Sequence, residues 1–152
     1  MKLYLVRHGE AVEGSVNPDR PLTAKGRADV EGIAGAAAER IASLEVIWHS
    51  TKTRARETAQ ILAAYLRPAR GLVERDDIAD GPTGPVADDI ESADADLMIV
   101  SHVPFLPRLT GRLLEGADDV RPVAFPAAGL ACLEADDALN WTLAWTLNPD
   151  EL

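Results

Sequence analysis

Three short apolar runs, each cut off by polar or cationic residues, constrain this chain more than any other feature. Leu3-Tyr4-Leu5-Val6 stops at Arg7-His8-Gly9, Val46-Ile47-Trp48 at His49-Ser50, and Leu97-Met98-Ile99-Val100 at Ser101-His102. Uninterrupted apolar runs of this length are expected of strands covered on both faces of a parallel sheet. Between them the apolar spacing is helical. Thr23 reads as the N-cap of a helix carrying Val30, Ile33, Ala34, Ala37 and Ile41 on one face and running to about Ala42. A second helix is expected from Thr53, with Thr58, Ile61, Leu62, Tyr65 and Leu66 on its stripe, until Pro68 stops it.

Leu72-Val73 is a weak third strand candidate, and the acidic stretch from Glu74 to Asp96 reads as a loop followed by a short helix over Val86 to Ala93. Pro104 suits the opening turn of a further helix that places Leu106, Leu109 and Leu113 on its core side and ends at Gly116. Val123-Ala124-Phe125, Leu130 to Leu133 and Trp141 to Leu147 read as two or three strand segments. Strand–helix alternation with a strand-rich tail predicts an α/β fold, a mainly parallel sheet with an antiparallel edge and flanking helices. No repeat or linker divides residues 1–152, so a single domain is expected.

Charge removes several function classes. With 25 acidic against 15 basic residues the chain carries a formal charge of -10, which repels nucleic acid and anionic membrane surfaces. An anion site here has to be a local positive pocket working against the overall field. Cys132 is the single cysteine, so no intrachain disulfide forms, and a reducing, cytoplasmic setting is expected. A cysteine phosphatase would need an arginine six positions after it, where Ala138 stands. No apolar stretch has the length of a signal-peptide core or a membrane span. The three histidines show no pair at metal-ligand spacing, so no metal site and no cofactor are expected.

Ligands of open α/β sheets bind outside the carboxyl ends of the strands. Parallel pairing would therefore bring Arg7-His8, Arg54 (in the first turn after Ser50) and Ser101-His102 to one edge. Two guanidiniums and two imidazoles there suit a tetrahedral dianion, with one ring nitrogen free to attack phosphorus. Each residue also has a plain structural reading: Arg7 and Arg54 as surface ion-pairers in an acidic chain, His102 as a cap on the helix near Pro104. His49 reads as structural and Glu10 as a loop hydrogen-bonder. Arg20, with Ser15 and Asn17, could reach the pocket rim.

The combination Arg7-His8-Gly9-Glu10, Arg20-Pro21-Leu22-Thr23 with Gly26, Ser50-x-x-x-Arg54-Ala55-x-x-Thr58-Ala59 and Ser101-His102-x-Pro104 resembles the histidine phosphatase superfamily. Within it the chain is most similar to the short, SixA-type phosphohistidine phosphatases. The resemblance implies a three-layer α/β/α sandwich of the phosphoglycerate mutase-like fold and a metal-free hydrolase. It implies that His8 becomes phosphorylated while Arg7, Arg54 and His102 clamp the phosphoryl group. His8 must then be neutral, and the neighbouring cations are expected to lower its pKa.

Larger members of the superfamily carry a carboxylic acid after the third strand. Here Glu74, Asp76, Asp77 and Asp80 all fall in that region, and Asp80 is the candidate general acid. A poor match there favours phosphohistidine as substrate, because an imidazole leaving group takes a proton readily near neutral pH. The short stretch before the next helix leaves no room for a lid, which favours a phosphorylated protein partner. A small-molecule phosphomonoesterase and a catalytically silent phosphate-binding protein are the alternatives.

Overall fold

The computed structural model describes all residues 1–152. Its centre is a six-stranded sheet formed by β1 (Lys2–Arg7), β2 (Val46–His49), β3 (Leu72–Glu74), β4 (Leu97–Ser101), β5 (Leu130–Ala135) and β6 (Trp141–Leu147), in the order β3-β2-β4-β1-β5-β6. The first four pair in parallel, whereas β5 runs antiparallel to β1 and β6 antiparallel to β5. The antiparallel edge and the strand-rich tail are as the sequence predicts.

Alternation within each strand builds two cores. Tyr4, Val6, Ile47, Met98, Val100, Leu130 and Cys132 face helices α1 (Ala24–Ala38) and α2 (Thr53–Leu66). Leu3, Leu5, Val46, Leu97, Ile99, Ala131 and Leu133 face α3 (Thr83–Ala93) and α4 (Phe105–Glu115). The result is a three-layer α/β/α sandwich in which every residue of β4 is buried. This is why the strands at its centre read as continuous apolar runs rather than alternating ones.

Helix ends follow local chemistry. The Thr23 side chain accepts from Gly26 N–H at the start of α1, Arg67 takes a left-handed conformation just before Pro68, and Gly116 (φ 75°) ends α4. One expected boundary shifts, and the tail holds two of the two or three expected strand segments. The first helix stops at Ala38 rather than near Ala42, and the chain leaves it through a tightened turn in which Arg40 N–H donates to the Ala37 carbonyl three residues back. Val123-Ala124-Phe125 is not a strand: Pro122 and Pro126 flank it and lack N–H groups, and β5 is already paired on both sides. Val123 and Phe125 still enter the second core.

Candidate active site

The carboxyl ends of β2, β4 and β1 lie side by side, and the predicted residues gather there. Arg7 is in register with Ser101. His8 N–H donates to the Ser101 carbonyl (3.0 Å), and the His8 carbonyl accepts from Ala128 N–H (3.1 Å). Main-chain bonds on both sides thus fix the His8 Cα. The loop after it lies flat on α1 and α2. Gly9 N–H donates to Thr58 Oγ1 (3.1 Å), and a Cβ on Gly26 would come within 2.1 Å of the Glu10 carbonyl oxygen. Gly26 is therefore required by close backbone approach.

His8 Nδ1 is 2.7 Å from the carbonyl oxygen of Gly9. A carbonyl only accepts, so Nδ1 carries the hydrogen and the lone pair of the neutral ring sits on Nε2. His8 does not face solvent: it is buried, 9% exposed. Its pKa is lowered to about 4, first by burial, against the Gly9 hydrogen bond, and then by Arg54, Arg7 and Arg20. The cations act as expected, yet desolvation is the larger cause.

The His102 ring lies with its centroid 5.0 Å from that of His8. Its pKa is lowered to about 3, by burial first and then by His8, Arg54, Lys52 and Arg7. It does not cap α4. Its backbone carbonyl accepts from Leu106 N–H, while Nε2 is 2.6 Å from Ser50 Oγ. His49 is buried, with Nδ1 near the Ser50 carbonyl.

Arg7 Nη1 donates to the Phe125 carbonyl (3.0 Å), and burial lowers the pKa of both Arg7 and Arg54. No ion pair reaches Arg7, Arg20, Lys52 or Arg54, although acidic residues outnumber basic ones. Three buried side-chain nitrogens in the whole chain lack a hydrogen-bond partner: Arg7 Nε, Arg54 Nε and His102 Nδ1. All three belong to this cluster. Buried donors are normally satisfied, so their concentration here marks a site whose partner is an anion.

A cavity of about 260 Å³ opens beside the cluster, lined by Lys52, Arg54, Ala79, Asp80, His102, Val103 and Pro104. Asp80 therefore reaches the site. The Ser101 hydroxyl donates to the Ile78 carbonyl and ties down the loop that carries it. Glu74, Asp76 and Asp77 line a different, larger depression of about 440 Å³ with Thr51 and Arg75. There Arg75 is already bound by Asp77 and Asp89 and stacks over Trp48, so no free cation awaits a ligand. Arg20 lies near enough to depress His8 and Arg54 while its Nε donates to the Val12 carbonyl. Ser15 and Asn17 are loop residues, with Asn17 Oδ1 accepting from Asp19 N–H.

Two participants escape the sequence reading. Lys52 lines the cavity, and its position two residues before Arg54, at the N-cap of α2, was a usable signal. Ser50 enters the sequence reading only as part of a motif. No group of three or more His, Cys, Asp or Glu side chains is placed to hold a metal ion. No helix is long and apolar enough to cross a membrane.

This geometry has known counterparts. Residues 3–80 match the model of the histidine phosphatase superfamily (branch 1), and the chain belongs to that superfamily. No curated protein matches the sequence. Among solved structures, the protein histidine phosphatase SixA complexed with tungstate superposes with a TM-score of 0.88 at 22% identity, over 99% of both chains. A protein from Agrobacterium tumefaciens assigned as phosphohistidine phosphatase SixA gives 0.81 at 27% identity over 97% of both. The mycobacterial glucosyl-3-phosphoglycerate phosphatase gives 0.74 at 15% identity, over 95% of this chain and 98% of that one. Membership makes this chain a phosphatase of the superfamily, and it shares its fold with the SixA structures.

Proposed function

We propose that the chain is a phosphohistidine phosphatase that removes the phosphoryl group from a histidine of a protein partner. The observation that carries the reading is the fixed tautomer of His8, with Nδ1–H on the Gly9 carbonyl and a lone pair left on Nε2 near guanidiniums whose Nε atoms lack partners. His8 Nε2 attacks phosphorus, forming a P–N bond as the P–N bond to the substrate imidazole breaks. The departing imidazole takes a proton at neutral pH. Water then attacks phospho-His8, giving inorganic phosphate and the free ring. Charge in the loose transition state spreads over the equatorial oxygens, where Arg7, Arg54 and His102 supply the unpartnered donors.

The SixA structures support the phosphohistidine assignment, as does a small cavity that a projecting side chain can enter. Cytoplasmic residence agrees with the lone buried Cys132. Turnover of a phosphohistidine protein measured beside a panel of phosphate esters tests the substrate. Ester hydrolysis without action on phosphohistidine would reject it in favour of a small-molecule phosphomonoesterase. Replacement His8→Ala should abolish activity and any acid-labile phosphoenzyme; full activity in that variant would remove the nucleophile assignment.

A further inference from the structure

Ser50 and His102 close two neighbouring strands, β2 and β4, and their side chains meet where the strands end. Ser50 is fully buried and His102 nearly so. Ser50 Oγ has two partners: it accepts from Lys52 N–H (3.3 Å), and it lies 2.6 Å from His102 Nε2. His102 Nδ1 has none.

Three proton arrangements are open to the pair. If Ser50 O–H donates to Nε2, both Ser50 and Nε2 are satisfied, and a single group, Nδ1–H, is left over. If Nε2–H instead donates to Ser50, the hydroxyl hydrogen has no acceptor and Nδ1 becomes a buried lone pair without a donor. Two groups are then orphaned, each at a free-energy cost. A doubly protonated ring orphans the hydroxyl hydrogen and Nδ1–H, and it adds a buried charge close to Arg54, Lys52 and Arg7.

We infer that Ser50 is a positioning residue that holds His102 as its Nδ1–H tautomer, leaving that N–H as a neutral donor for a phosphoryl oxygen. The inference deepens the proposed phosphatase reading and rests on it for the identity of the acceptor. The two imidazoles of the site are then set as opposites. Each carries its hydrogen on Nδ1, but the Gly9 carbonyl consumes that of His8 and frees Nε2 to attack. Ser50 consumes Nε2 of His102 and frees its N–H to donate. Lys52 N–H, from the N-cap of α2, orients the hydroxyl.

Long-range proton–nitrogen correlation spectra of the isotope-labelled protein read the tautomer directly, with His102 assigned by its loss in His102→Gln. The expected spectrum shows a pyrrole-like Nδ1 and a pyridine-like Nε2 at neutral pH. A pyrrole-like Nε2, or protonation of both nitrogens, overturns the inference without any variant being needed. Ser50→Ala should blur the tautomer and lower kcat about 10- to 100-fold, as loss of a group orienting a functional imidazole does at metal sites, with KM moving less. An unchanged tautomer in that variant would also overturn it. The spectrum requires no turnover. A protein inactive on phosphohistidine yet showing the expected Nδ1–H would support the role of Ser50 while refuting the substrate reading.

Discussion

Mild acid should destabilise this protein through the two imidazoles of the candidate site. His8 and His102 have folded-state pKa values near 4 and 3, against 6.5 for an unperturbed ring. Because the folded rings resist protonation, the unfolded chain binds more protons between about pH 6.5 and pH 4, and stability falls as pH drops through that window. Linkage gives about 1.3 kcal/mol lost per ring between about pH 7.5 and pH 5.5, or about 2.6 kcal/mol for the pair. Carboxylates with ordinary values near 4 contribute little there.

Urea melts followed by tryptophan fluorescence at the two pH values measure the loss, which corresponds to roughly 5–10 °C in Tm for a chain of this size. In His8→Gln at least half of the loss should vanish, because the variant removes one ring and one of the groups that depress His102. A wild-type loss below about 0.5 kcal/mol, or an equal loss in His8→Gln, would refute the claim that burial holds these rings neutral.

Three further outcomes are expected. Arg54→Lys should keep the charge but lose the planar fork, lowering kcat/KM by about 10²- to 10³-fold with unchanged circular dichroism. Gly26→Ala should lower the urea-derived stability by about 1–3 kcal/mol, since its new Cβ meets backbone rather than a movable side chain. Asp80→Asn should reduce hydrolysis of alkyl phosphate esters about 10²-fold while leaving phosphohistidine turnover within about threefold, measured side by side.

Local chemistry was legible in the amino-acid sequence, and long-range pairing was not. Thr23, Pro68 and Gly116 punctuate the helices because capping, a missing N–H and a left-handed turn act within a few residues. The buried strands were visible as apolar runs. Val123–Phe125 was misleading for the same reason: its composition suits a strand, yet only the sheet order reveals that β5, the strand after it, is already paired on both sides.

At the site, Arg7, His8, Arg54 and His102 could be located from motif and strand ends alone. The depth of burial that dominates the His8 shift could not, because it depends on how distant segments pack together, as when the His102 ring comes to lie 5.0 Å from that of His8. Asp80 is named among four acidic residues with no spacing to select it, and only geometry separates the four. Arg75 draws Asp77 away, while the Ser101–Ile78 bond holds the loop that brings Asp80 to the cavity.

The Gly9 carbonyl that orients His8 belongs to the peptide chain, as do the Ser101 and Ala128 groups that pin its backbone. Apart from proline at Ala128, which would remove its N–H, no side-chain substitution deletes these groups. The orientation of the His8 ring is therefore insulated from mutational drift so long as the sheet persists. The loop bearing Asp80 and the turn bearing Lys52 have no such insurance, and they are the places to graft a new substrate preference onto an unchanged reacting centre.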